Sequence, residues 1–248
     1  MENGQTYGVI VQVRLSSTRL PGKVLMDVEG KPMLQRQTER LRAGLGDLPL
    51  IVATSDDPSD DAIARFCAGQ GLSCCRGPLH DVMSRFILCA RAHGITHLVR
   101  VGGDDPLIDP ACCLELVRQH RVAPADFLYA SHREGWPYGC AAELIAVSAL
   151  ARIRAATDRP LYLEHTIPYF FDHPGEFAIR PVRSPVGLCR PELAFTVDHP
   201  EDLELVRSIF RELREEGDIF PLARVIGLMD EKPELREVNR HLHTGFDR

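Results

Sequence analysis

The chain has 248 residues, 44% hydrophobic and 26% charged, which is enough for a proper core and excludes a mostly disordered polypeptide. Its 29 lysines and arginines against 35 acids leave a formal charge of −6. That balance argues against a protein that coats nucleic acid, although a local basic patch can still grip a small polyanion.

No apolar run approaches the roughly 20 residues of a membrane span. The start, Met1 to Tyr7, lacks the basic head and apolar run of a signal peptide, so a cytoplasmic protein is expected. The eight cysteines include two adjacent pairs, Cys74-Cys75 and Cys112-Cys113, and no C-x-x-C spacing. Zinc therefore finds little support, and in a reducing compartment all eight read as small buried hydrophobes.

Tyr7 to Val13 is a short β-branched run with polar flanks and predicts a buried first strand. Pro49 to Thr54 and Thr96 to Val101 read the same way. Between them, Met83, Phe86, Ile87 and Ala90 recur at helical spacing and predict a helix over Asp81 to His93. Asp57-Pro58 and Asp109-Pro110 each place a capping acid before a proline at the first helical position. Leu203, Val206, Phe210 and Leu213 mark another amphipathic helix after Pro200. Strands alternating with helices predict an α/β fold with a mainly parallel sheet.

From about Ala125 to Arg190 that rhythm breaks. Asp126 to Ala130, Glu143 to Val147 and Phe177 to Val182 are strand-like, around a loop from His132 to Gly139 and a helix expected near Leu161 to Phe171. Glu234 to His243 reads as a short charged terminal helix. With no repeat, linker or low-complexity stretch, the simplest organisation is one domain with an inserted subregion over about 125–190.

Chemistry concentrates in three places. The first is Arg14-Leu-Ser-Ser-Thr-Arg-Leu-Pro-Gly-Lys23, directly after the first strand. Three cations, three hydroxyls and a glycine at the carboxyl end of a parallel strand suit a polyphosphate. The loop is neither a Walker A motif, since Val24 follows Lys23 and position 17 is serine, nor G-x-G-x-x-G.

The second is Gly102-Gly-Asp104-Asp105-Pro106-Leu-Ile-Asp109-Pro110. Asp109 is explained as a helix cap, whereas Asp104 has no such duty. The third is Phe195-Thr-Val-Asp198-His-Pro200, in which His199 is the formal cap and Asp198 stays outside the helix. A hard cation such as Mg²⁺ takes one or two carboxylates together with phosphate oxygens and water. Two strand-end carboxylates beside a cationic phosphate loop form a constellation for nucleotidyl transfer. Because both acids lie outside helix caps, asparagine at either is expected to leave stability unchanged or to raise it.

These residues resemble a known family. Arg14 to Pro32 (RLSSTRLPGKVLMDVEGKP), the Gly103 to Asp109 element (GDDPLID) and Thr196 to Arg207 (TVDHPEDLELVR) are similar to the cytidylyltransferases that activate sugar acids as CMP derivatives. That group includes the acylneuraminate and ulosonate enzymes and their spore-coat polysaccharide relatives. Val52 to Asp57, Arg76-Gly77 with Asp81-Val82, and Glu164 to Tyr169 add further matches, so the likeness spans roughly residues 8–210.

The resemblance implies a Rossmann-like nucleotidyltransferase fold, CTP as substrate, Mg²⁺ and a homodimer. It implies that Arg14, Ser17, Arg19 and Lys23 hold the triphosphate, Asp104 and Asp198 hold the metal, and Thr54 to Asp56 with Arg76 lie near the nucleoside. Arg14, Lys23, Asp104 and Asp198 would then form the catalytic set.

The acceptor region departs from the family pattern. Ala141 replaces an expected carboxylate, Ala130 an expected asparagine and Asp105 an expected cysteine, while Glu143 is kept. His132, Arg133, Trp136, His165 and Arg183 remain as candidate contacts, with Arg133, Glu143 and His165 foremost. A small anionic acceptor, a phosphonate or phosphate, is favoured, while a sugar acid stays open. Three other readings stay open as well: a synthetase strict for ulosonic or nonulosonic acids, a transferase using another nucleotide on a sugar phosphate, and a non-catalytic nucleotide-binding protein.

Overall fold

A computed structural model describes residues 4–243. The first β-branched run forms β1 (Tyr7–Gln12), followed after the cationic loop by a small hairpin of β2 (Asp27–Val28) and β3 (Lys31–Pro32) and then α1 (Met33–Gly44). Alternation follows, through β4 (Leu50–Ser55), α2 (Asp61–Gly69), β5 (Ser73–Gly77), α3 (Val82–Ala92), β6 (His97–Gly102) and α4 (Pro110–Val122). The three expected strands and the expected α3 helix are present with ends shifted by a residue.

Capping acids work as expected. The Asp109 carboxylate accepts from the Ala111 N–H at 2.8 Å with Pro110 opening α4. Asp81 accepts from the Ser84 N–H at 2.8 Å. Asp57 accepts from Ser59 at 2.8 Å, but it opens a 3₁₀ turn, Pro58–Asp60, before α2 begins.

The region of broken rhythm supplies β7 (Phe127–Tyr129), β8 (Glu143–Ala146), α5 (Val147–Ala156), α6 (Pro160–Glu164), α7 (Thr166–Asp172) and β9 (Ile179–Pro181). The single helix expected near Leu161 to Phe171 is in fact two, broken at His165. Proline explains the break: in a continuous helix the Pro168 ring would collide with the carbonyl of Glu164, and Pro168 is instead taken into the first turn of α7. After α8 (Pro200–Glu212) and α9 (Leu222–Glu231), the expected terminal helix resolves into two 3₁₀ turns, Pro233–Glu237 and Arg240–Leu242.

Seven strands make one sheet in the order β5-β4-β1-β6-β8-β7-β9. All neighbours are parallel except β8, which runs antiparallel to β6 and β7. This is a mostly parallel α/β fold of Rossmann-like type. Strand alternation sends Val9, Val11 and Val52 to one core, with Leu34 and Leu41 of α1, and Ile10 and Ile51 to the other, with Phe86 of α3 and Phe170 of α7.

The chain moves outward from β1 to β4 and β5, then returns to the other side of β1 as β6. The order therefore reverses between β1 and β6, where ligands enter open α/β sheets. Register pairs Gln12 with both Ala53 and Gly102, so the loops after β1, β4 and β6 emerge at one sheet edge. All eight cysteines are free, and three depart from the expected burial: Cys189 is exposed, and Cys74 and Cys75 are half-buried. Among the described residues, no helix is long and apolar enough to cross a membrane.

Candidate active site

The cationic loop is built to hold its shape. The N–H groups of Ser17 and Gly22 both donate to the Leu15 carbonyl, at 2.8 and 3.1 Å. Gly22 sits at φ 73°, in the left-handed region that glycine enters without strain, and turns the chain into the 3₁₀ turn that carries Lys23. At its start, the Leu15 N–H donates to the fully buried Asp60 carboxylate at 2.7 Å. Asp60 also accepts from the backbone N–H of Ser55 at 3.2 Å and from its hydroxyl. One carboxylate thus ties the loops after β1 and β4 together.

The Asp104 turn is equally fixed. A Cβ on Gly103 would lie 2.5 Å from Val13 Cγ1 and 2.8 Å from the Gln12 carbonyl oxygen, so only glycine lets the turn pass this close to β1. Gln37 of α1 is fully buried and donates to the carbonyls of Gly102 and Asp105, at 2.6 and 2.9 Å. The Asp104 carbonyl accepts from Val197 at 2.8 Å, which brings the segment bearing Asp198 alongside.

As a result Asp104 and Asp198 converge on one point, and Lys23 occupies it. Its Nζ donates to Asp104 Oδ2 at 2.9 Å and to Asp198 Oδ1 at 2.8 Å, and the lysine is only 6% exposed. Burial alone would lower the lysine's pKa, but the two carboxylates outweigh it and hold the ammonium above its ordinary value. Arg19 pairs with the other Asp198 oxygen at 2.8 Å, and Arg14 with Glu164 of α6 at 2.8 Å. Lys23 also reverses the expectation that asparagine at Asp198 would be harmless, since a buried cation depends on that acid.

Could this pair hold a metal? Two carboxylates meeting around one cationic atom fit a hard divalent ion that completes its shell with phosphate oxygens and water. Among the described residues no cluster of three or more His, Cys, Asp or Glu could do so alone. Burial, then the Asp104 charge, pushes the neighbouring Asp105 carboxyl well above the carboxylate range, which favours its neutral form.

The remaining candidates fall in different surroundings. Ser17 is half-buried, and its hydroxyl accepts from the Leu20 N–H at 3.4 Å within the loop. Thr54 is fully buried near the end of β4, with its hydroxyl unpartnered. Asp56 is exposed at the end of β4. Arg76 donates to the Ser55 and Asp57 carbonyls at 2.8 and 2.9 Å and pairs with Asp61 at 2.8 Å, bracing the loop after β4.

On the acceptor side, Trp136 is not a contact residue. It is 1% exposed and donates through Nε1 to the Val182 carbonyl at 2.9 Å. Glu143 pairs across β8 and β6 with Arg100 at 3.0 Å, and burial lifts its carboxyl above the usual range despite that partner. Arg133, His165 and Arg183 are exposed.

Behind Asp198 stands Asp202, in the first turn of α8. Its carboxylate accepts from the Asp198 and His199 N–H groups at 3.0 and 2.8 Å and from Asn239 at 2.8 Å, and His243 Nε2 lies 2.8 Å away. Burial would raise its pKa, but the contacts from His243, Asn239 and the two backbone groups bring it down to about 2. A depressed folded-state pKa gives stability that is present above the unfolded carboxylate value and is lost as pH falls through about 2. Asp202→Asn is expected to cost on the order of 2 kcal/mol at pH 7, with the gap to wild type closing below about pH 3. Urea denaturation at both pH values checks this; a gap unchanged at low pH would contradict it.

A parallel sheet with a cationic loop and converging acids at its switch point defines an α/β nucleotidyltransferase. Residues 8–221 match the family model described as cytidylyltransferase, and the chain belongs to that family of CTP-dependent nucleotidyltransferases. It is 28% identical over 232 residues, 91% of this chain and 94% of the relative, to the spore coat polysaccharide biosynthesis protein SpsF of Bacillus subtilis. Over 126 residues, 48% of each chain, it is 38% identical to the 3-deoxy-manno-octulosonate cytidylyltransferase of Aeromonas salmonicida. A cytidylyltransferase structure from Leptospira borgpetersenii superposes with a TM-score of 0.87 at 24% identity, covering 94% of this chain and 97% of that one. A CMP:2-keto-3-deoxy-manno-octonic acid synthetase complexed with CTP gives a TM-score of 0.62 at 19% identity, covering 84% and 99%.

Proposed function

We propose that the protein transfers CMP from CTP to a small acidic acceptor and releases pyrophosphate. The observation that supports this best is the meeting of the Arg19 and Lys23 cations with the Asp104 and Asp198 carboxylates at the switch point, in a chain of this family. Arg14, Arg19 and Lys23 would grip the triphosphate, with Ser17 shaping the loop around it. Asp104 and Asp198 would hold Mg²⁺, which when bound supplies charge neutralisation at the α-phosphate.

An acceptor oxygen attacks the α-phosphorus in line and forms the new O–P bond. The bond to the bridging oxygen breaks, and pyrophosphate leaves with the electron pair. A phosphonate or phosphate oxygen is already anionic, so no general base is needed.

Arg133 and His165 are the residues we assign to the acceptor. Both are exposed, and neither makes a side-chain hydrogen bond or ion pair among the described residues. Ala130 and Ala141 offer a sugar ring no polar partner, and each hydroxyl left unsatisfied in a buried site costs about 1–3 kcal/mol. The 38% identity to an octulosonate enzyme favours the second reading, a synthetase for ulosonic acids.

A pyrophosphate-release screen of four nucleoside triphosphates against phosphonates, polyol phosphates and sugar acids separates these. Release is expected with CTP and a small anion. Preference for ATP or GTP would overturn the nucleotide assignment. Efficient turnover of an eight- or nine-carbon sugar acid, with the small anions ignored, would overturn the acceptor assignment.

A further inference from the structure

Every cation of the phosphate loop already has an acid from another segment: Arg14 has Glu164, Arg19 has Asp198, and Lys23 has both Asp104 and Asp198. At the carboxylate pair, two negative charges meet two positive ones. A divalent cation approaching the free protein therefore finds a neutralised site with the Lys23 ammonium at its centre. To enter, it must take both carboxylates from that ammonium, whose side chain is 7% exposed where it stands and which, among the described residues, touches no third acid. A triphosphate changes this balance, because it offers Lys23 and Arg19 new anionic partners and offers the cation extra oxygens.

We propose that Lys23 is a counterion plug. The metal site is closed in the free protein and opens when a polyphosphate draws Lys23 off the two carboxylates. This rests on the nucleotide binding proposed above and adds its order: nucleotide and metal enter as strongly coupled partners, and free metal is kept out. The coupling is reciprocal, so whatever the nucleotide gives the metal in affinity, the metal gives back to the nucleotide.

Electron paramagnetic resonance of Mn²⁺ with nucleotide-free protein tests this. Wild type and Lys23→Arg are expected to bind Mn²⁺ weakly, and Lys23→Met at least about tenfold tighter once the plug is gone. The gain should vanish in the Lys23→Met/Asp198→Asn double variant, which locates the ion. Arg19→Met should gain less, since Arg19 reaches only Asp198 and its side chain is 58% exposed.

Wild type binding Mn²⁺ as tightly as a folded Lys23→Met would overturn the proposal. If Lys23→Met does not fold by circular dichroism, Lys23→Gln takes its place: tighter Mn²⁺ binding than wild type supports the plug, and equal binding overturns it. CTP binding by wild type, measured separately in EDTA and in Mg²⁺, tells the two readings apart. No CTP binding in either condition sinks the proposed function, whereas CTP binding together with tight nucleotide-free Mn²⁺ binding sinks only the plug.

Discussion

Asp198→Asn is expected to lower CTP-dependent pyrophosphate release by at least about a hundredfold, and Asp104→Asn likewise, because each removes half of the proposed anionic seat for the metal. The two variants should part company in stability. Asp198 is 5% exposed and partners both Lys23 and Arg19, so its loss leaves a buried ammonium with one acid instead of two. A fall of about 2 kcal/mol in unfolding free energy is expected there. The Asp104 side chain is 37% exposed, and water can replace much of what it gives Lys23, so its variant should lose well under about 1 kcal/mol. Steady-state rates at saturating Mg²⁺ and denaturant midpoints measure both quantities. Near-normal turnover in either variant would remove that residue from the metal site, and equal destabilisation would contradict the asymmetry of the Lys23 pair.

Much of this site was legible before any coordinates. β1, β4 and β6 are apolar runs of strand length, and the loops after β1 and β6 hold clustered charges, so the switch-point position of Arg14 to Lys23 and Asp104 could be read directly. Asp198, expected at a strand end, follows no strand of the sheet and is brought in by the Val197 N–H bond to the Asp104 carbonyl. What could not be read is which charge pairs with which. Lys23 has two acids within reach in the free chain and would have phosphate oxygens in a complex, and sequence does not choose between them. The direction of β8 was hidden for a similar reason, because a four-residue apolar strand reads the same parallel or antiparallel.

Other misses had a signal. Pro168, in the third position of α7, forbids a continuous helix from Leu161 to Phe171. Gln37 follows Leu34 by three and precedes Leu41 by four, so it is a polar residue on the buried stripe of α1, and it pins the Asp104 turn. Arg85 stands in the same relation to Val82 and Cys89 on α3. It is fully buried and donates to the carbonyls of Pro78 and Leu79 at 2.9 and 2.8 Å. A polar side chain at a core position is the more informative observation, since it must be there for its hydrogen bonds.

Asp60 is the most consequential of these unread residues, and Asp60→Ala is expected to be the most destabilising change near the site. Its fully buried carboxylate satisfies the backbone N–H groups of Leu15 and Ser55 and the Ser55 hydroxyl. It is also the leading opposite charge acting on the buried Arg85 guanidinium, whose Nη1 has no hydrogen-bond partner. Alanine would strand two backbone donors and take from that cation its leading opposite charge, so a loss of about 3–5 kcal/mol is expected. Function should suffer beyond stability, because the Leu15 contact sets where the cationic loop leaves β1. CTP affinity, measured well below the variant's unfolding temperature, should fall at least about tenfold. Asp60→Asn keeps one oxygen for the backbone donors and should recover part of the stability but not the charge beside Arg85. A folded Asp60→Ala with wild-type CTP affinity would show that the loop holds its shape without this anchor.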